Sequence, residues 1–190
     1  MTLRPLATED LDTVVRWFAE PHVTRWWEAP TEPQAVRARY AGRIAGREPT
    51  EVFMISAGGR AAGLIQRYLI DDHPEWAEAL AATGALPSPA AGLDYLIGDP
   101  SLTGRGLASA AIRSCAQRTF ADHPTLAAVC AAPFVENTAS WRALERAGFT
   151  RAWSGPIADV DSHLYLSAPE LGRAAEDLAL LATELRKTRR

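Results

Sequence analysis

The sequence predicts one mixed α/β domain, in which a largely antiparallel sheet is flanked by helices and a further helix follows at the C-terminus. Strand-like and amphipathic helical segments alternate irregularly, in the order β-α-α-β-β-β-α-β-α-β-β before that last helix. Such mixing is typical of sheets with helices on their faces and differs from a regular doubly wound fold. The 190 residues, of which 47% are hydrophobic, can form a sizeable single core. We therefore expect one domain over residues 2–168 and a helical extension over 169–190.

The first half of the chain is expected to form three strands and two helices, followed by a loop. Thr8 can cap the first helix, because Leu11, Val14, Val15 and Phe18 follow it at helical spacing. A hairpin is predicted at Gly58-Gly59, since glycine adopts the positive φ angles that a tight turn demands. Strands are predicted over 2–6, 52–56 and 63–68, a second helix over 30–46, and a loop over 71–89 with a short helical option at 75–82.

The second half is expected to add strands and helices around a Gly-rich turn. A strand over 93–97 runs into that turn, which opens a helix over 106–120. Asn137 can cap a short helix, and Gly148 is expected to end it. The other predicted elements are a buried strand over 126–132, the short helix over 138–147, a hairpin of strands 149–153 and 162–167, and the final helix over 169–186.

Composition argues against several classes of function. A net charge of −3 and a pI near 5.8 disfavour a nucleic-acid surface, which needs clustered lysine and arginine. The four histidines show no ligand spacing and the two cysteines lie in apolar contexts, so we expect neither a metal nor a disulfide. No apolar stretch resembles a signal peptide or a transmembrane helix, and we expect a cytoplasmic protein with no membrane partner.

The window with the most chemical information joins the strand at 93–97 to the following helix, through Gly104-Arg105-Gly106-Leu107-Ala108. The free N–H groups and the dipole at a helix N-terminus favour an anion. Two glycines let the backbone approach that anion, and Arg105 can add a positive charge. The glycine spacing fits neither a P-loop nor a dinucleotide fingerprint. A Gly-x-Gly turn also occurs where a strand merely bends, so the pattern alone leaves both interpretations open.

This window resembles motif A of the GNAT superfamily of N-acetyltransferases, whose pattern Gln/Arg-x-x-Gly-x-Gly/Ala reads Thr103-x-x-Gly106-x-Ala108 here. Thr103 departs from the usual glutamine or arginine. Within the superfamily the chain is similar to aminoglycoside 6′-N-acetyltransferases over about residues 2–168. The shared features, in the same order, are Thr2-Leu3-Arg4, Trp26-Trp27, Gly92-Leu93-Asp94, Gly104-Arg105-Gly106-Leu107, and Arg142 through Ala147-Gly148-Phe149.

The resemblance implies an enzyme that moves an acetyl group from acetyl-CoA to a primary amine of a small, cationic acceptor such as an aminoglycoside, and hence antibiotic resistance. It implies that Asp94 binds the amine and assists as general base. Backbone N–H groups of Tyr95, Leu96 and Ile97 would bind the pantetheine and polarise the thioester. The remaining implied residues are Thr103, Gly104, Arg105, Gly106, Leu107 and Ala108 for the cofactor, Asn137 and Trp141 as further cofactor contacts, and Trp26 and Trp27 for the acceptor. Helix capping also explains Asn137, and core packing also explains the tryptophans.

One departure from the family concerns the general acid. The resembling enzymes place a tyrosine where this chain has Leu144, so solvent or Tyr165 is left to protonate the departing thiolate. Two other functions stay open. One is acylation of a siderophore-type hydroxylated lysine, although relatives with that activity carry His and Asp at the positions of Asp94 and Phe134. The other is a catalytically weak acyl-CoA-binding module. We expect either a monomer or a homodimer.

Overall fold

The computed structural model describes residues 1–169, which form a seven-stranded sheet in the spatial order β1-β2-β3-β4-β5-β7-β6. The strands are β1 (Thr2–Pro5), β2 (Glu51–Ala57), β3 (Arg60–Leu69), β4 (Ala90–Ile97), β5 (Ala128–Ala131), β6 (Thr150–Ile157) and β7 (Val160–Ser167). Within this part of the chain, β4 and β5 form the single parallel pair, and the other neighbouring strands are antiparallel. The predicted fold class is confirmed.

Helices cover both faces of the sheet. They are α1 (Leu11–Phe18), α2 (Pro21–Thr24), α3 (Pro33–Ile44), α4 (Pro74–Ala81), α5 (Leu107–Asp122) and α6 (Thr138–Ala147). Because side chains of a strand alternate between faces, β2 contributes to two cores. Met54 packs with α1 and α3 in one apolar cluster, whereas Phe53 and Ile55 pack with α5 and α6 in another.

The start of the first helix differs from the prediction. Thr8 does not cap it, because residues Thr8–Asp10 form a 3₁₀ turn that precedes α1. The Asp10 carboxylate instead accepts from the Ala7 N–H at 2.9 Å and binds the Arg4 guanidinium through two contacts of 2.6 Å. A charged side chain thus ties β1 to the helical segment. That contact joins residues six apart, and helical periodicity alone does not predict it.

Local signals predicted several other boundaries correctly. Asn137 Oδ1 accepts from the Ser140 N–H at 3.2 Å, and Gly148 follows α6 with a φ of +94°. The hairpin between β2 and β3 turns at Gly58 and Gly59, with φ of +57° and +79°. The short helical option in the predicted loop forms α4, and α2 is an additional helical turn that the sequence analysis did not predict. The predicted final helix lies outside the described residues.

The divergence of β4 and β5 positions the functional site. These strands pair over three residues, from Ala90 with Ala128 to Gly92 with Cys130. Beyond Gly92, β4 continues to Ile97 alongside β3 alone. The sheet is therefore open on one side of the last five residues of β4. Among residues 1–169, no helix is long and apolar enough to cross a bilayer.

Candidate active site

A cleft of about 880 Å³ occupies the opening between β4 and β5. Its volume lies in the range of sites that enclose small molecules and cofactors. It extends from the turn before α5, along β4 and the start of α6, to the α2 segment and the β6–β7 hairpin. The sequence-predicted residues that line it are Trp26, Trp27, Asp94, Tyr95, Leu96, Ile97, Thr103, Gly104, Gly106, Leu107, Ala108 and Asn137. Most of the predicted site is thus brought together in one cavity.

The turn before α5 offers a run of unpaired amides to this cleft. Gly104 and Gly106 have φ of +69° and +77°, which glycine adopts without strain. Within the described residues, the N–H groups from Gly104 to Ser109 have no hydrogen-bond acceptor, and the first bonded amide of the helix is that of Ala110. Consecutive free amides at a helix N-terminus bind phosphate groups well. The donor set therefore fits an anionic cofactor with a diphosphate.

Beyond Gly92, β4 adds backbone groups to the same cleft. In an antiparallel ladder, alternate residues point their backbone groups to the same side. His22 Nε2 donates to the Ile97 carbonyl at 2.9 Å, so the backbone groups of Ile97 point away from β3. By the same alternation, Tyr95 presents its N–H to the opening, whereas Leu96 presents its N–H to β3. Tyr95 and Ile97 are therefore the β4 residues whose amides can bind an extended ligand such as a pantetheine arm.

The first turns of α6 form the opposite wall. The Tyr95 hydroxyl lies 2.7 Å from Ser140 Oγ, which ties β4 to α6 across the opening. Arg142 and Arg146 also line the cleft, one helical turn apart, and supply positive charge for an anionic ligand. The sequence analysis did not select them as a pair, although their i, i+4 spacing on a capped helix was visible. Asn137 lines the cleft too, and its Oδ1 is engaged in the helix cap.

Asp94 lies in the wall of the cleft, partly exposed to it. The β3–β4 register places Gln66 directly across from Asp94, and Gln66 Nε2 donates to the carboxylate at 2.8 Å. Burial raises the pKa of Asp94, while the hydrogen bond from Gln66 and the nearby Tyr68 hydroxyl lower it. The net direction is upward, so the carboxylate is a stronger base than an exposed aspartate. A group of this kind can hold an ammonium and accept its proton.

A second, smaller cavity of about 200 Å³ adjoins Asp94. Arg43, Thr50, Gln66, Tyr68, His73, Trp76 and Asp94 line it. Asp94 and Trp76 line both cavities, so the two meet at these side chains. The Tyr68 ring packs on Gly92, where an added Cβ would lie 2.5 Å from ring atoms. Strand register and the position of α3 create this cavity, and the sequence analysis singled out only Asp94 among its residues.

The two adjacent tryptophans that follow α2 have different surroundings. The Trp26 ring faces Phe134, with centroids 6.1 Å apart, and the Arg25 guanidinium covers it at 4.5 Å. Trp27 stacks on Phe18, with centroids 6.4 Å apart, and joins the core around α1. Both also line the cleft. They therefore combine core packing with a wall of the cavity, and Trp26 connects the α2 segment to the chain after β5.

Three predicted site residues lie elsewhere. Tyr165 is fully buried, and its hydroxyl donates to Glu145 Oε1 at 3.0 Å. Burial and the Glu145 charge raise the pKa of this phenol to about 12. Trp141 donates its indole N–H to the Val135 carbonyl at 3.3 Å and packs against the core. Neither these two side chains nor the exposed Arg105 line the cleft.

Two further observations bear on the chemistry. Leu144, at the position where the resembling enzymes have a tyrosine, is fully buried and belongs to the core around α5. No group of three or more potential metal-ligating side chains is present in residues 1–169. The side chains around the cleft include a carboxylate, aromatic rings and arginines, and free backbone amides lie beside them. That set is suited to binding an anionic cofactor and activating an amine.

Comparisons with known proteins agree with this geometry. The acetyltransferase (GNAT) domain model matches residues 7–154. The aminoglycoside N(6′)-acetyltransferase type 1 of Klebsiella pneumoniae is 26% identical over 155 residues, which cover 80% of this chain and 74% of the relative. A crystal structure of the aminoglycoside acetyltransferase AAC(6′)-Ib with coenzyme A has a TM-score of 0.79 and 22% identity, covering 92% of this chain and 98% of that chain. An uncharacterised protein from Bacillus halodurans has a TM-score of 0.76 and 16% identity, covering 90% and 86% of the two chains.

The family model covers most of the chain, and the solved structures share its fold. The free amides before α5, the divergent β4 and β5, and the arginines of α6 fit the cofactor that the sequence resemblance implied. The predicted family, enzyme class and cofactor are confirmed: the chain belongs to the GNAT acetyltransferases and is an acetyl-CoA-dependent N-acetyltransferase.

Proposed function

We propose that this enzyme acetylates a primary amine of a small, cationic acceptor of the aminoglycoside type. The observation that carries the proposal is the position of Asp94, whose carboxylate lies in the cleft wall where β4 leaves β5. A carboxylate that is partly exposed to the cleft attracts a cationic amine, and its raised pKa makes it a useful base. The activity named for the Klebsiella pneumoniae relative supports the choice of acceptor.

The donor is held chiefly by the main chain in this proposal. The amides between Gly104 and Ser109 bind the diphosphate, with positive charge from Arg142 and Arg146. The N–H groups of Tyr95 and Ile97 bind the pantetheine arm along the open side of β4. These contacts direct the acetyl thioester along β4 toward Asp94. An N–H group aimed at the thioester oxygen stabilises the oxyanion by a few kcal/mol, about 3 in typical cases.

The transfer then needs a neutral amine, a place for its proton and a departing thiolate. Asp94 accepts the proton that the amine loses, directly or through a water molecule. The amine nitrogen forms a bond to the thioester carbonyl carbon, and the carbon–sulfur bond breaks to release the thiolate of coenzyme A. Solvent protonates the thiolate, because Leu144 has no acidic group and Tyr165 is buried outside the cleft. A thiol with a pKa of about 8.5 is an adequate leaving group without a dedicated acid.

The acceptor enters beside aromatic side chains in this proposal. Trp26, Trp27 and Phe134 line the cleft, and Trp76 lines both the cleft and the smaller cavity. Aromatic faces attract organic cations, so they complement the charge of Asp94. Siderophore-acylating relatives carry His at the position of Asp94 and Asp at the position of Phe134, and this difference favours a cationic amine over a hydroxylated lysine. The cytoplasm stays the predicted location, and a monomer or homodimer stays the predicted assembly.

The experiment is thiol release from acetyl-CoA across a panel of aminoglycosides, polyamines and hydroxylysine derivatives. We expect turnover with aminoglycosides, and at least a tenfold loss of turnover in Asp94→Asn with unchanged coenzyme A binding by calorimetry. The matched control is Asp12→Asn, because the Asp12 side chain is 70% exposed and lies outside the cleft. Turnover restricted to hydroxylysine derivatives would contradict the proposed acceptor. Coenzyme A binding without turnover on any amine would favour a binding module.

A further inference from the structure

A chain of hydrogen bonds runs from Arg43 of α3 to Asp94, the proposed general base. Arg43 Nη1 donates to Gln66 Oε1 at 2.9 Å, and Gln66 Nε2 donates to Asp94 Oδ2 at 2.8 Å. We propose that Arg43 is a positioning residue, which fixes the orientation of the Gln66 amide and so keeps the Asp94 carboxylate able to accept a proton. The inference rests on the proposed function, because it concerns how Asp94 acts as a base.

The argument starts from what an arginine side chain can do. A guanidinium only donates hydrogen bonds, so the group of Gln66 that faces Arg43 must be the carbonyl oxygen Oε1. The planar amide then turns its NH₂ group toward Asp94. An N–H that points at a carboxylate stabilises the ionised form. Arg43 therefore determines which end of the amide Asp94 meets.

Without Arg43, Asp94 is the one described hydrogen-bond partner left to Gln66, and it favours the NH₂ end of the amide only while its carboxylate is ionised. Once Asp94 is protonated, the amide can rotate by half a turn and present its oxygen to the carboxyl group. A carbonyl oxygen repels the ionised carboxylate and accepts a hydrogen bond from the protonated one. Both effects favour protonated Asp94, which cannot take a proton from the amine. Because Gln66 is buried, water competes weakly for either end of the amide.

The local structure holds Arg43 in place for this role. Its Nε donates to Glu48 Oε2 at 3.1 Å, and its side chain is 17% exposed. Glu48 folds back over Gly42, where an added Cβ would lie 2.0 Å from Glu48 Oε1. The absence of a side chain at Gly42 thus leaves room for the carboxylate that orients Arg43. The guanidinium also lies over the Tyr40 ring, 5.6 Å from its centroid.

Other groups around Asp94 also affect its pKa, in addition to Arg43. The titratable and charged groups that face Asp94 are Arg43 and Tyr40 of α3, Tyr68 of β3, His73 before α4, Cys130 of β5 and Tyr95 of β4 itself. Burial raises the pKa of Asp94, and the charges of Arg43 and His73 oppose that rise. Part of the effect of Arg43 therefore acts through space, and the experiment has to separate it from the effect that passes through Gln66.

The first test compares the pH dependence of kcat in Arg43→Met and in the wild-type enzyme, with acetyl-CoA and one aminoglycoside both saturating. Losing the orienting contact should move the acidic limb of the profile to higher pH by about one pH unit. Calorimetry should show unchanged coenzyme A affinity. Arg37→Met is the matched control, because Arg37 lies on the same helix, is 47% exposed and lines neither cavity. A profile that Arg43→Met leaves unmoved would overturn the inference.

A double-variant cycle tests whether the effect passes through Gln66. In a Gln66→Leu background, Arg43→Met should move the acidic limb much less than it does in the wild-type background. An equal displacement in both backgrounds would show that Arg43 acts as a distant charge alone, and would refute the orienting role. Arg43→Lys keeps a donor for Gln66 Oε1 and should restore most of the wild-type profile. If Arg43→Met does not fold, Glu48→Gln can replace it, because this variant weakens the contact that holds Arg43 and keeps the arginine. It should move the acidic limb of the pH profile in the same direction.

A measurement without turnover separates this inference from the proposed function. The carboxyl carbon of Asp94 can be followed by NMR across pH in protein labelled at aspartate, with Asp94→Asn identifying its signal. Arg43→Met should raise the midpoint of that titration, whereas Arg37→Met should not. A wild-type enzyme that acetylates no amine would refute the proposed function, and the NMR titration would still decide whether Arg43 controls Asp94. An unchanged NMR midpoint in Arg43→Met would refute the inference.

Discussion

Replacing Gly106 with alanine separates the backbone strain in the turn before α5 from the proposed role of that turn in binding the cofactor. Gly106 has a φ of +77°, and an added Cβ would meet no atom within 4 Å. The cost to stability is therefore the conformational penalty of a left-handed residue, about 1–2 kcal/mol. For a domain of this size, that penalty lowers the melting temperature by about 2–8 °C. The new methyl group also stands among the free amides, and we expect acetyl-CoA to bind about tenfold more weakly.

Gly58→Ala is the matched control for this prediction. Gly58 has a φ of +57° at the tip of the β2–β3 hairpin, and a Cβ there would also meet no atom within 4 Å. Its melting temperature should fall by a similar amount, while its affinity for coenzyme A should equal that of the wild type. Thermal denaturation and calorimetry with coenzyme A measure the two quantities. Unchanged coenzyme A affinity in Gly106→Ala, despite a lower melting temperature, would refute the assignment of the diphosphate to this turn.

Three further variants test the structure at other points. Tyr165→Phe removes a hydrogen bond to the exposed Glu145, so kcat should change by less than about twofold and stability by about 1 kcal/mol or less; a much larger loss of kcat would identify this phenol as the general acid. Asn137→Ala removes the cap of α6 and should cost about 1 kcal/mol of unfolding free energy, which Asn137→Ser should restore; equal stabilities would argue against the cap. The hydrogen bond from Arg4 lowers the pKa of Asp10, so the stability that its ionised form contributes is complete above the unfolded-state pKa of about 4 and is lost as pH falls through the lower folded-state pKa. The free energy of unfolding, measured by urea denaturation, should fall less between about pH 6 and pH 2 in Asp10→Asn than in the wild type. An identical fall in both proteins would contradict this role.

Features set by neighbouring residues were predictable from the sequence. The glycines of the β2–β3 hairpin and of the turn before α5 act through their own φ angles, and the Asn137 cap acts over three residues. Each depends on chemistry within one turn of chain, which residue type and spacing reveal. The family resemblance added the other predicted site residues, and the structure places most of them around one cleft.

Features set by the sheet register were not predictable in this way. Gln66 meets Asp94 because β3 and β4 pair with that particular register, and Arg43 reaches Gln66 because α3 packs beside them. His22 contacts Ile97 across 75 positions of sequence. Tyr165 was considered as an acid because of its residue type, yet the packing of β7 against α6 directs its hydroxyl to Glu145. A pattern read along the chain holds no information on such pairings, which the tertiary fold decides.

The separation of β4 from β5 has a consequence for how such a protein can diversify. Main-chain N–H groups persist through every substitution except one to proline, so the proposed binding of the donor by amides along β4 would tolerate side-chain changes at most of these positions. The side chains proposed to meet the acceptor, such as Trp26 and Phe134, belong to the segments after α2 and after β5. New amines can therefore be accommodated by exchanging loop residues, while the same activated acyl donor continues to be used.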